Sequence, residues 1–152
     1  MMTTHEKAMA RIYNKNSAAH VYALGFVFER KLYVSKLSWR ELYTFMVGDH
    51  ASSARGGYSK IRIRMSASAR RELSKTAELL GPAELLTKDP KYNRGENLER
   101  EVTERWTGET WTKDSVPFFV KGDINVDGVE IQIKLDSAEL TNEKILKKFG
   151  LK

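Results

Sequence analysis

Asp123, Asn125, Glu130, Gln132 and Lys134 fall within FFVKGDINVDGVEIQIKLD, where alternating apolar residues flank Asp127-Gly128 and predict a β-hairpin. With those two residues at the centre of a tight turn, Val126 pairs with Val129, Asn125 with Glu130, Ile124 with Ile131, Asp123 with Gln132 and Lys121 with Lys134. Side chains alternate along a strand, so Phe118, Val120, Ile124, Val126, Val129, Ile131, Ile133 and Leu135 line one face. Lys121, Asp123, Asn125, Glu130, Gln132 and Lys134 line the other. Asp123 and Gln132 become direct neighbours, their side-chain roots roughly 5 Å apart, with Lys134 one pleat along. Upstream, RGENLEREVTERW reads as a helix with Leu98, Val102 and Trp106 on one apolar stripe. At about 100° per residue, Glu99 lies about 60° from the centre of that stripe, while Glu96, Glu101 and Glu104 point further away. Glu99 is therefore the acid expected at the edge of a packed core. Oxygen-bearing groups and a lysine on one strand face, joined by an acid from a helix, match the needs of phosphodiester hydrolysis. That reaction calls for hard oxygen ligands to Mg²⁺, which activates water and neutralises charge at phosphorus, and for a cation near the attacking oxygen. The same pattern also fits an amphipathic hairpin with a solvated outer face. Against that stands the apposition of Lys121 and Lys134, since like charges oppose each other unless an anion lies between them.

The elements that must position these residues are legible in part. Thr3 and Glu6 have capping-box spacing, and Met9, Ile12 and Tyr13 follow at helical intervals, which predicts a helix over residues 4–14. The apolar stretch 18–35 (AAHVYALGFVFERKLYVS) fits a helix and a strand equally well, and both stay open. Ser38 and Glu41 form a second capping box, with Leu42, Phe45 and Met46 on one helical face and Gly48 as the stop. Residues 49–57 have loop composition. Residues 58–65 (YSKIRIRM) alternate as a strand that carries Lys60, Arg62 and Arg64 on one face. Ser66 or Ser68 caps a further helix bearing Ala69, Leu73, Ala77 and Leu80 and ended by Gly81-Pro82. A polar connector at 87–93, containing Asp89-Pro90, is the one plausible boundary. It separates a basic DNA-binding region, 1–88, from a core at 91–152, unless the two form one integrated domain. Residues 141–149 read as a closing helix.

Among the 152 residues, 41% are hydrophobic and 30% charged, the usage of a folded globular protein. No run approaches the roughly 18 to 20 apolar residues of a membrane span, and the polar N-terminus lacks a signal-peptide core. The expectation is a soluble protein with no membrane partner. The absence of cysteine excludes disulfides, thiolate zinc sites and cysteine nucleophiles, and fits the reducing cytoplasm. His5, His20 and His50 have no ligand spacing. Net charge is +6, and its distribution is informative. Arg55, Lys60, Arg62, Arg64, Arg70, Arg71 and Lys75 stand between residues 54 and 75 with Glu72 as the single acid, so this window holds the whole excess. A solvated face is one reading. The other is a phosphate-tracking surface for nucleic acid, to which Lys121 would add, and the lack of interleaved acids favours it.

Gly95 and Glu99 in RGENLERE, then Asp123 in Gly122-Asp123-Ile124, then Gln132-Ile133-Lys134 on an apolar strand, together resemble the motif set of the PD-(D/E)XK nuclease superfamily. The helical piece is similar to the opening helix of archaeal Holliday-junction resolvases, and the third motif has the QxK form. The resemblance covers residues 91–148. It implies that Glu99, Asp123 and Gln132 hold one or two magnesium ions, with Mn²⁺ able to substitute, and that Lys134 positions water or stabilises charge. Two departures are visible: Gly122 stands where the family has proline, and Gln132 is an amide where an acid is commoner. Glu130, on the same strand face, is a candidate substitute. The family core also has a further helix and strand, which must come from elsewhere in the chain, residues 60–65 being a candidate. The expected architecture is α/β or α+β, a PD-(D/E)XK-like core with a small mixed sheet flanked by helices, plus a basic, partly helical N-terminal region. The expected function is a magnesium-dependent endonuclease acting on DNA, assembled as a homo-oligomer by analogy with two-fold enzymes that cut both strands. Two alternatives stay open: a nucleic-acid binder on an inactive nuclease scaffold, and a basic protein-interaction module.

Overall fold

The computed structural model describes residues 21–49, 60–112, 124–137 and 139–141. The apolar stretch that periodicity leaves open is a hairpin, β1 (Val21–Phe28) and β2 (Lys31–Ser38), paired antiparallel from Val21↔Ser38 to Phe28↔Lys31. Its turn is Glu29-Arg30, with φ of 51° and 64°, the left-handed pair of a type I′ turn. Strand prevails over helix here because β1 is covered on both faces. Tyr22, Leu24 and Phe26 belong to one buried cluster and Ala23 to another, and a central strand of this kind requires a nearly continuous apolar run.

The Ser38 capping box forms as expected, with Ser38 Oγ accepting from Glu41 N at 3.2 Å and Glu41 Oε1 accepting from Ser38 N at 2.9 Å. It opens only a short helix, α1 (Trp39–Tyr43), after which β3 (Met46–Asp49) begins. Gly48 therefore lies within a strand rather than stopping a helix. The tertiary reason is β4 (Lys60–Ile63), which draws Met46–Asp49 into an antiparallel ladder. Along this strand and beyond, Arg62 and Arg64 are exposed while Ile63 and Met65 are buried, the expected alternation.

Helix α2 (Ala67–Ser74) starts where Ser66 Oγ accepts from Ala69 N at 3.1 Å. It stops well before Leu80, and β5 (Glu78–Pro82) follows. Ala69, Leu73 and Ala77 pack on the first cluster, whereas Leu80 is buried in the second. One straight helix cannot serve both faces of a sheet, so the helical spacing is overridden. A 3₁₀ segment (Ala83–Thr87) leads to α3 (Arg94–Thr107), β6 (Ile124–Val126), β7 (Val129–Leu135) and β8 (Glu139–Thr141). Thr141, expected to open a helix, closes β8 by its backbone.

The strands form a five-stranded sheet in the order β5-β2-β1-β7-β6 and a three-stranded sheet β3-β4-β8. The fold is mixed α+β. Within the larger sheet β7 runs parallel to β1, from Val21↔Ile131 to Gly25↔Leu135. The further strand beside the Gln132–Lys134 stretch is thus β1, and residues 60–65 belong to the other sheet. Strands from both sides of the 87–93 connector share the larger sheet, with α3 packed on the cluster that holds Leu98, Val102, Ile131 and Ile133. The N-terminal region, residues 1–88, is partly helical, but half of its described residues are strand. Among the described residues no helix is long and apolar enough to cross a membrane. The helix expected over 4–14 lies outside the described residues, as do Phe118, Val120 and Lys121 of the expected strand before Ile124.

Candidate functional site

Helix α3 is fixed at its start by side chains that hold the connector. Asn93 and Glu96 form a reciprocal cap, with Glu96 N donating to Asn93 Oδ1 at 2.8 Å and Asn93 N to Glu96 Oε1 at 3.1 Å. The Asn97 side chain, only 1% exposed, reaches the carbonyls of Asp89 and Asn93 at 3.1 and 3.0 Å and accepts from Asp89 N at 3.2 Å. Burying that amide is favourable because its polar atoms are satisfied. Asp89 adds an acceptor for Lys91 N and an ion pair to Arg100 at 3.2 Å. The Lys91 amide above all, opposed by burial and aided by the Arg100 guanidinium, holds its carboxyl below the ordinary value. Next to Asn97, Leu98 presses onto β1 at Gly25, where a Cβ would stand 2.5 Å from a Leu98 methyl carbon. Only glycine permits that approach. Glu99, one residue on, is half-buried at the rim of the packed face.

The second wall is β7. Its hairpin with β6 has the expected register, Ile124↔Ile131, Asn125↔Glu130 and Val126↔Val129. Asp127 and Gly128 have φ of 52° and 83°, and Gly128 N donates to Asn125 Oδ1 at 3.0 Å. Ile131 and Ile133 face α3, whereas Gln132 and Lys134 lie beside Tyr22 and Leu24 of β1. Gln132 is 5% exposed and Lys134 half-buried. Glu130 is exposed near the hairpin tip, opposite Asn125.

Glu99 and Lys134 both line a pocket of about 270 Å³, as do Arg94, Gly95, Asp136 and Ser137. The two residues singled out on separate elements are thus brought together, with Gly95 beside them. Gln132 does not line this pocket. Asp123 and Lys121 lie outside the described residues.

Asp136 is the residue that sequence reasoning missed. Its side chain is 4% exposed; Oδ1 accepts from Met65 N at 3.1 Å, and Oδ2 accepts from Arg70 Nε at 2.9 Å and from Arg70 Nη2. Arg70, read from sequence as a phosphate contact, is therefore held by a carboxylate of its own chain. Lys75 lies 3.2 Å from Glu72 in an exposed pair. Arg62, Arg64 and Arg71 are exposed. Arg55 and the side chain of Lys60 lie outside the described residues. No local signal could have found the Asp136–Arg70 pair, because it joins distant stretches of sequence through tertiary packing alone.

As a magnesium site the described part offers a partial set. Glu99 brings a carboxylate and Lys134 an ammonium, while the carboxylate of Asp136 is engaged by Arg70 and Met65. Among the described residues no group of three His, Asp or Glu stands close enough to hold a metal ion. A second pocket, about 390 Å³, lies at the far end of α3, where Lys36 Nζ is 5.7 Å from the centre of the Trp106 ring and Trp106 Nε1 donates to Glu78 at 3.1 Å.

The chain matches no protein-family model, no curated protein and no solved structure.

Proposed function

We propose that this protein is a magnesium-dependent endonuclease that cleaves DNA phosphodiester bonds. The observation that carries the reading is the convergence of Glu99, from α3, and Lys134, from β7, on one pocket. Glu99, with Asp123, would hold the ion, which when bound would supply an activated water and neutralise charge on the phosphate; Gln132, expected from the motif as a third ligand, lies outside the pocket lining. The ammonium of Lys134 balances the anionic phosphate oxygens, and Arg94 adds a second cation to the pocket wall. Exposed Arg62, Arg64 and Arg71 track the backbone away from the scissile bond. Manganese substitutes for magnesium, the protein works in the cytoplasm, and a homodimer brings one pocket to each strand.

One observation favours a second reading, a DNA binder on an inactive nuclease scaffold. Gln132 is buried and carries no charge, so it offers a metal little attraction. Incubation with plasmid, linear, single-stranded and branched DNA, with and without magnesium, separates the two. The nuclease reading expects cleavage only with magnesium, lost in Asp123→Ala and Lys134→Ala while DNA binding persists, because these groups act on the transition state more than on attachment. Gln132→Glu, outside the pocket lining, is expected to leave magnesium binding unchanged, and tighter binding would bring Gln132 back to the ion. Cleavage at the parental rate by both alanine variants overturns the site assignment, and binding without cleavage in the parent leaves the second reading.

A further inference from the structure

We propose that Asp136 and Arg70 form a positioning joint that holds the basic strand face carrying Arg64 at a fixed place beside the Glu99–Lys134 pocket. The inference rests on the DNA-binding part of the reading above. Asp136 and Ser137 line the pocket directly after Lys134. The same two residues grip the second sheet on either side of Arg64: Ser137 N donates to Ile63 O at 2.6 Å, and Asp136 Oδ1 accepts from Met65 N at 3.1 Å. Arg64 N in turn donates to Phe45 O at 2.7 Å. On the other side Asp136 N donates to Gly25 O at 2.8 Å, which ties the segment to the centre of the larger sheet. Arg64 is exposed between its two clamped neighbours, so its backbone position relative to the pocket is set by residues 136 and 137.

The chemistry of the joint supports a positioning role. A carboxylate that is 4% exposed has lost most of its hydration, and a buried ion pair seldom stabilises a fold more than an apolar pair of the same volume. What it adds is direction. Two donors from one guanidinium on a single oxygen, with a backbone amide on the other, admit one arrangement of α2, β4 and the end of β7. A phosphate on Arg64 and another in the pocket would then belong to one strand held at two fixed points.

The test is a double-mutant cycle on binding of duplex DNA without magnesium, read by fluorescence anisotropy. Arg64→Ala, Arg94→Ala at the pocket wall and the double variant are compared in the parent and again with Asp136→Asn, which keeps an acceptor for Met65 N but removes the charge. The expected result is an affinity of the double variant that departs at least threefold from the product of the single effects in the parent, and that obeys the product in Asp136→Asn. Arg70→Met, which keeps the aliphatic stem, repeats the cycle should Asp136→Asn fail to fold. Independent effects in the parent, or coupling that survives a folded joint variant, overturn the proposal. Cleavage with magnesium is measured alongside. Coupling without cleavage sinks the nuclease reading and keeps the joint; cleavage without coupling does the reverse; no DNA binding at all overturns both.

Discussion

A cation is available to a phosphate only where no acid of its own chain already holds it. Among the described residues Arg70 is held by Asp136 and Lys75 lies against Glu72, whereas Arg64 and Arg71 stand exposed. Alanine at those two positions is expected to weaken binding to duplex DNA and to reduce the slope of log affinity against log salt by about 0.9 per lost contact. Asp89 makes a different claim at the same scale. Its folded carboxyl titrates below the ordinary value because the Lys91 amide and Arg100 favour the anion. A lowered folded value means that the contribution to stability is full above the unfolded value, about pH 4, and is lost as pH falls through the folded one. The parent should therefore melt above Asp89→Asn at neutral pH and converge with it in acid, as thermal melts at a series of pH values would register. The place of Glu99 at the rim of the packed face was legible because the helical period fixes which side chains border the apolar stripe. The Asp136–Arg70 pair was not, because nothing local to either residue names the other.

At the scale of elements, local signals succeeded where the backbone itself carries the instruction. Asp127-Gly128 supplies two left-handed residues at little cost, and the hairpin register followed from it. The Ser38–Glu41 box marked a helix start but not its length, since pairing with β4 claimed the residues that follow. The β1–β2 hairpin was illegible for a related reason: Glu29 and Arg30 both adopt positive φ without glycine or asparagine to announce it. Left-handed conformations cost such residues about 1 to 2 kcal/mol each, a strain the surrounding strands over-determine. Glu29→Asn with Arg30→Gly is thus expected to raise stability by about 1 to 2 kcal/mol, measured by denaturant unfolding. An unchanged or lower midpoint would mean that the two side chains make surface contacts worth as much as the strain.

The whole molecule is held by a sheet that neither half of the chain can build alone. The connector at 87–93 reads as a boundary in composition, yet β7, from the C-terminal half, lies between β6 and the N-terminal β1. Ile131, Ile133, Leu98 and Val102 bury themselves against Ala23, Leu32 and Val34 across that connector. Full burial of each large apolar side chain contributes about 1.5 to 3 kcal/mol, so removing the N-terminal strands exposes more apolar surface than a marginally stable fold can tolerate. Composition could not reveal this, because a parallel pairing between strands more than a hundred residues apart leaves no mark in either stretch beyond its apolar run. A fragment of residues 91–152 is accordingly expected to be unfolded on its own, with collapsed amide dispersion and no cooperative melt, even though it contains the whole motif set of Glu99, Asp123, Gln132 and Lys134. Adding residues 1–90 as a separate chain should restore dispersion if the β1–β7 ladder is the organising contact. A fragment 91–152 that melts cooperatively by itself would show that the boundary seen in the sequence is a true domain boundary, and that β1 only covers a core already formed.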